Sequence, residues 1–182
     1  MATIYFTALD EANTLLENDA FALVVGLTLY QQIPTEKAFA GPYVLKDRLG
    51  GTLDAASVAA MDPEALEGVF RQVPAIHRFP ANMAKRTQAV SQYIVDEYGG
   101  DASAIWSDAK TADELLARLK ALPGFGDYKA RLTLGVLAKQ YGVKPRGFTK
   151  YLPDWPSIVD IKNPEDLAEL TVRKKAWKAA KQ

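Results

Sequence analysis

Apolar side chains recur along most of this chain at the three- and four-residue spacing of a helix face, and glycine, proline and capping residues punctuate the pattern. Residues 3–7 are the exception, a short β-prone stretch that reads as an edge strand or an extended arm. Asp10 or Asn13 then caps a helix running to about Asn18. From Ala20 to Gln31 the sequence is apolar on nearly all sides, which predicts a helix buried in the domain centre and too short to span a bilayer. Pro34 opens the next helix, which runs to a glycine stop at Gly50 and Gly51. Residues 53–60 and 62–71 predict two short helices, the second opened by Asp62 and Pro63. Another spans residues 80–98, with Met83, Ala84, Val90, Ile94 and Val95 on its apolar face and Gly99 and Gly100 beyond its end. Thr111 caps a helix to about Ala121, with Glu114 completing a capping box. Asp127 begins a helix to Tyr141, and Pro164 with Glu165 opens the last one. Many short helices, little strand, no fixed repeat and no low-complexity linker predict an all-α fold.

Composition narrows the chemistry. With 182 residues, 48% of them hydrophobic and 24% charged, the chain suits one packed domain or at most two small lobes. The absence of cysteine excludes disulfides, thiolate zinc sites, a cysteine nucleophile and a thiolate-held iron–sulfur cluster. A single histidine, His77, excludes multi-histidine metal sites, so neither a metal nor another cofactor is expected. The first residues carry no basic-then-apolar leader and no apolar run approaches the length of a membrane span, which leads us to expect a soluble, cytoplasmic chain with no membrane partner.

Net charge is zero, from 22 basic and 22 acidic side chains, and that argues against a uniformly basic nucleic-acid binder. Position changes the picture. Residues 1–70 hold 3 basic and 10 acidic side chains, whereas residues 71–182 hold 19 and 12. The positive half contains a tail cluster of Arg173, Lys174, Lys175, Lys178 and Lys181, and a second group of Lys144, Arg146 and Lys150 around a turn. The tail reads as a solvated helix end that complements the helix dipole, or as a set of phosphate contacts.

The most informative segment is residues 111–141, in which two helices flank Leu122-Pro123-Gly124-Phe125-Gly126. Glycines on either side of one apolar residue permit a sharp turn, and Phe125 is placed to pin it between the helices. Free N–H groups of the turn and of the second helix's first residues would then form a site for one phosphate, read by backbone and not by sequence. LPGFGDYKA resembles the helix-hairpin-helix element of the HhH-GPD superfamily of base-excision-repair DNA glycosylases, whose usual form is LPGVG-x-x-TA. Leu27-Thr28-Leu29-Tyr30-Gln31-Gln32 resembles that family's buried helix ending in Leu-Ser-x-Gln, whose glutamine enters the duplex beside the extruded nucleotide. Residues 79–86, running on to Tyr98-Gly99-Gly100, resemble the family's helix that begins near Lys-Ala and ends at Gly-Gly. The likeness covers roughly residues 20–145 and is nearest to small cysteine-free actinobacterial members.

The resemblance implies one two-lobed module over residues 1–182, with about 28–133 as the first lobe, its hairpin at the end, and 1–27 plus 134–182 as the second. It also implies an aspartate that stabilises the oxocarbenium-like sugar, about 18 to 20 residues after the position of Tyr128. Those positions hold Arg146, Gly147 and Phe148. Asp154 and Asp160 are the nearest carboxylates beyond them, and Asp127 is better explained as a dipole-complementing residue in a first turn. Asp154 is therefore the candidate catalytic carboxylate, against a turn-forming Pro-Asp role. Tyr128 stands where bifunctional members carry a Schiff-base lysine and some monofunctional uracil/thymine mismatch members carry tyrosine, which implies no lyase activity. The expected DNA contacts are Gln32, Gly124, Phe125, Gly126, Lys129 and Arg146, with His77, Arg78, Tyr30 and Trp155 as further candidates.

The expected function is DNA base-excision repair by a monofunctional DNA glycosylase, a hydrolase of the N-glycosidic bond of a damaged or mismatched base. The partner would be double-stranded DNA and the protein a monomer, nucleoid-associated if bacterial. Two alternatives stand beside it: a catalytically silent HhH-GPD protein that binds damaged or bent DNA, and a helical protein-interaction module that keeps the hairpin only as a fold element.

Overall fold

Local punctuation decides where the helices of this chain begin and end. The computed structural model describes residues 4–182, and among them secondary structure is helical, with no named strand. The helices are α1 (Asp10–Asn18), α2 (Ala20–Leu29), α3 (Thr35–Arg48), α4 (Ala55–Ala60), α5 (Pro63–Arg71), α6 (Pro80–Tyr98), α7 (Ala112–Lys120), α8 (Asp127–Gln140) and α9 (Pro164–Ala180). Side chains of Asp19, Asp54, Asp62, Thr111 and Asn163 each accept a first-turn N–H, so five starts are fixed by capping worth about 1 kcal/mol apiece. Gly99, at φ +61°, ends α6 in the left-handed conformation that favours glycine. The capping box at α7 is half as expected: Thr111 accepts the Glu114 N–H, while Glu114 Oε2 reaches the N–H of Lys110 instead of that of Thr111.

Of the two readings of the N-terminal stretch the arm holds, and the cap needs correction. Thr3 lies outside the described residues, and residues 4–7 form an irregular arm, not an edge strand. Neither Asp10 nor Asn13 caps α1; Leu9 holds that position without a side-chain bond. Asn13 sits inside the helix and spends its amide on the arm, accepting from Phe6 N (3.0 Å) and Thr7 N (3.2 Å) and donating to Thr7 O (2.8 Å). With Glu17 accepting from Ile4 N at 2.6 Å, the arm's backbone is satisfied without a sheet and Ile4 and Phe6 are driven into the core.

Helix α2 is buried from Phe21 to Leu29 and packs against α1, α3 and α6. Close approach to α3 depends on two glycines. A Cβ on Gly26 would stand 2.7 Å from Phe39 Cδ1, and one on Gly41 would stand 2.5 Å from Leu29 Cδ1. Helix α6 covers α4 and α5, α7 pairs with α8, and a single apolar cluster extends from Ile4 to Leu170. Bare Gly135 of α8 lets Val159 and Pro153 approach, with a built Cβ 2.8 and 2.9 Å from them. Gln140 fixes the same segment by donating to Val159 O (3.2 Å) and Ile161 O (2.7 Å). The 152–161 connection is thereby laid along α8, which brings Trp155 to the first turn of that helix. No helix among the described residues is long and apolar enough to cross a membrane.

Candidate functional site

The turn between α7 and α8 is built by its own residues. Phe125 N donates to Leu122 O at 3.0 Å, and its ring is 4% exposed, packed into the core as the sequence predicts. Gly124 takes φ +79°, and a Cβ there would lie 2.8 Å from Arg86 Cδ and Nε. Gly126 has an ordinary φ of −81° and open space above it. Only the first of the two glycines is demanded by the backbone; the second leaves the entrance to α8 uncovered. No side chain caps α8, so its first N–H groups and the positive end of its dipole face outward. Asp127, 3.6 Å from Lys120, bridges the two helices there in keeping with its first-turn reading.

This entrance faces the end of α2 across a cleft of about 440 Å3. Tyr30, Gln32 and Ile33 form one wall, Gly124, Gly126, Tyr128 and Lys129 the other, and Lys174 of α9 closes the side. Six residues nominated from sequence therefore converge: Tyr30, Gln32, Gly124, Gly126, Tyr128 and Lys129. Gln32 is exposed and adopts φ +58°, a conformation unfavourable for a side-chain-bearing residue and typical of sites held in place by their surroundings. The neighbouring Gln31 is tied down, its Oε1 accepting from Arg86 Nη1 at 2.9 Å. Tyr30 packs on Phe39, with ring centroids 5.2 Å apart, and its hydroxyl oxygen lies 2.9 Å from both Thr35 Oγ1 and Lys174 Nζ.

His77 holds this wall from behind. It is 1% exposed, its Nε2 lies 3.1 Å from Leu29 O and 3.0 Å from Gln31 O, and its Nδ1 accepts from Phe79 N at 2.9 Å. That network assigns the neutral tautomer with the proton on Nε2 and leaves neither nitrogen for a phosphate or a base. Burial holds its pKa below the usual 6.5, against the pull of the Gln31 and Leu29 carbonyls and with added repulsion from Lys37 and Lys129. A base with a lowered folded pKa binds more protons when unfolded, so its contribution is complete above pH 6.5 and declines as pH falls below it. His77→Gln is expected to lower stability by about 1–3 kcal/mol. It should also remove this part of the acid dependence, which thermal unfolding of both proteins from about pH 8 to pH 5 will measure.

Lys129 lines the cleft while remaining almost wholly buried. It is 9% exposed, its Nζ donates to Thr28 O at 3.2 Å, and it lies 5.4 Å from the Phe125 ring centre. Burial, aided by the Arg86 charge, pushes its pKa down to about 8. On the opposite side of the same turn Tyr128 is 59% exposed and stacks on Trp155, with ring centroids 4.9 Å apart and 18° between planes. The Arg131 guanidinium lies over the Trp155 ring, 5.7 Å from its centre.

Other nominated residues stand apart. Asp154 is exposed, does not line the cleft, and makes no ion pair among the described residues, although its neighbour Trp155 touches Tyr128. Arg146 pairs its backbone with Lys110 and Ala112 at the start of α7, and the nine-residue length of that helix puts it roughly 13 Å from the hairpin turn. Arg78 is exposed beside the Phe79 ring at 5.2 Å. Phe125, buried and with its N–H already bonded, positions the turn and does not present its side chain to a ligand. A larger depression of about 600 Å3, between the end of α8 and α9, pairs Lys139, Lys162 and Arg173 with Asp160 and Asp166, and Arg173 is already bonded to Asp166 and Glu169. Its lining thus mixes both signs of charge, unlike that of the hairpin cleft.

Sequence reasoning missed Arg86 and Gln31 as an interlocked pair and gave Lys174 no place in the site. Lys174 meets Tyr30 across 144 residues of sequence, and within its basic tail nothing distinguishes it from Lys175 or Lys178. Compared with known proteins, the chain matches no family model and no curated relative.

Proposed function

We propose that this chain is a DNA base-excision-repair protein of the monofunctional glycosylase type. It holds duplex DNA through a phosphate at the α8 entrance, draws a damaged or mismatched base into the Tyr30–Tyr128 cleft, and hydrolyses the N-glycosidic bond. The observation that carries this reading is the meeting, in one cleft, of the uncapped α8 entrance, the exposed and conformationally unusual Gln32, the half-buried Tyr30 and the exposed Tyr128. The likeness of LPGFGDYKA and of the Tyr30–Gln32 segment to HhH-GPD glycosylases supports it. On this reading the fold is the two-lobed HhH-GPD module, and α2 and α8 join the lobes, because the boundaries near residues 27 and 133 fall inside them. Double-stranded DNA is the partner, engaged by a monomer in the cytoplasm or nucleoid.

One observation favours a second reading, in which the protein binds lesions without excising them. Among the described residues no carboxylate lines the cleft, whereas a developing sugar cation is stabilised by a negative charge close by. The test is incubation with duplexes carrying uracil, a T·G mismatch, hypoxanthine, alkylated purines or 8-oxoguanine, followed by alkaline cleavage of abasic sites. Strand cleavage on one of them is the expected result. Salt-sensitive binding without cleavage would establish the second reading, and a flat salt dependence would remove both. If a substrate is found, loss of turnover in Asp154→Asn with DNA affinity intact would mean that DNA binding brings this exposed carboxylate, next to the Tyr128-stacked Trp155, to the cleft; unchanged turnover would exclude Asp154 from the mechanism.

A further inference from the structure

Two ammonium groups meet the hairpin cleft, and no carboxylate among the described residues lines it. Lys129 comes from α8 and Lys174 from α9, and neither forms an ion pair among the described residues. Arg86 adds a third positive charge beside Gly124, bonded to the neutral amide of Gln31. A buried ammonium is costly unless it is paired, and Lys129 has a single carbonyl, Thr28 O, for three N–H bonds. Lys174 likewise rests on a neutral oxygen, the Tyr30 hydroxyl, with its charge 5.4 Å from that ring's centre. The uncapped entrance of α8 adds outward-facing N–H groups to the same space. The walls also supply apolar Ile33 and Leu132 and the rings of Tyr30 and Tyr128, suited to a sugar and a base.

We propose that Lys129 and Lys174 form an anion subsite inside this cleft that takes the phosphoryl group of a nucleoside phosphate. The inference rests on the DNA reading above for one of its two sources, a nucleotide extruded from a duplex; a free nucleotide offers the same chemistry. It differs from a phosphate contact on the outer face of the hairpin, because Lys129, 9% exposed, lines the cleft and meets only a ligand that has entered.

Calorimetric titration of the full chain with thymidine 5′-monophosphate, thymidine and inorganic phosphate is the test, repeated for Lys129→Met and Lys174→Met. The monophosphate should bind at least about tenfold more tightly than the nucleoside, and each variant should lose about tenfold of that affinity, as expected for a charge-assisted contact. Methionine keeps the chain length and removes a buried charge, so Lys129→Met should unfold at a temperature no lower than the parent. Should it fail to fold, Lys174→Met, at a partly exposed position, decides the matter. Monophosphate binding should also move the Lys129 titration, followed by the Cε resonance, upward from about 8. Equal affinity for nucleoside and monophosphate, or unchanged affinity in the folded variants, would overturn the subsite. Duplex binding measured in parallel separates the two claims: a chain that binds the monophosphate and no duplex keeps the subsite and loses the repair function, and the reverse result does the opposite.

Discussion

Phe39→Ala is expected to cost about 3–5 kcal/mol of stability, enough to erase much of the margin of an ordinary domain. Phe39 is fully buried and stands where three parts of the chain meet. Its ring lies 4.8 Å from Phe6 of the N-terminal arm and 5.2 Å from Tyr30 at the cleft, and its edge fills the space that Gly26 leaves open on α2. Truncation would leave a cavity that α2 and α3 cannot close, because Leu29 already abuts Gly41 and fixes their spacing. The effect should reach function as well. Tyr30 would lose the ring that orients it against Thr35 and Lys174, so ligand affinity should fall even at temperatures where the variant stays folded. Chemical denaturation monitored by circular dichroism gives the stability change, and an unaltered m-value would show that the loss lies in the native core and not in a new intermediate. A loss below about 1 kcal/mol would mean that the arm and Tyr30 are held by other contacts.

The helices of this chain were largely legible in its sequence because their ends are set by neighbours a few residues away. Asp62 with Pro63, Thr111 with Glu114, and Asn163 with Pro164 each open a helix close to the expected position, and Gly99 closes α6. At residues 4–7 the sequence leaves strand and arm open for the complementary reason. Its alternating apolar residues suit a strand, but the partner that satisfies its backbone is the Asn13 side chain, and polar chemistry at that position equally suits a cap. In the site, the sequence revealed the hairpin and the α2 terminus, since both are local motifs. It did not reveal that His77 would be consumed between Leu29, Gln31 and Phe79, or that Arg146 would be drawn to the far end of α7 by pairing with Lys110 and Ala112. Those outcomes depend on contacts between distant segments, as does the meeting of Lys174 with Tyr30.

Gly124→Ala is expected to weaken duplex binding by roughly ten- to a hundredfold, the scale of a lost charge-assisted backbone hydrogen bond, while Gly126→Ala should cost much less. The two glycines look alike in sequence and differ in physical demand. An alanine at position 124 must adopt φ +79°, which costs roughly 1–2 kcal/mol, and its methyl group would press on Arg86 at 2.8 Å. Arg86 can swing aside, but the guanidinium that moves is the one bonded to Gln31, so the displacement bears on the opposite wall of the cleft. The turn would then lose its shape and the glutamine-bearing segment its anchor at the same time. Position 126 has φ −81° and an unobstructed space, so alanine fits without strain and only narrows access to the first N–H groups of α8. Fluorescence anisotropy with a lesion-bearing duplex, run beside thermal unfolding, separates a binding defect from a folding defect. Retention of full affinity in a folded Gly124→Ala variant would sever the hairpin from DNA recognition and leave the interaction-module alternative standing. A further arm compares Gly124→Ala, Arg86→Leu and the double variant, since Arg86→Leu alone breaks the bond to Gln31. A double-variant loss smaller than the sum of the two single losses would show that the wall-to-wall link through Arg86 and Gln31 carries part of the Gly124→Ala effect, and additive losses would place all of it in the turn itself.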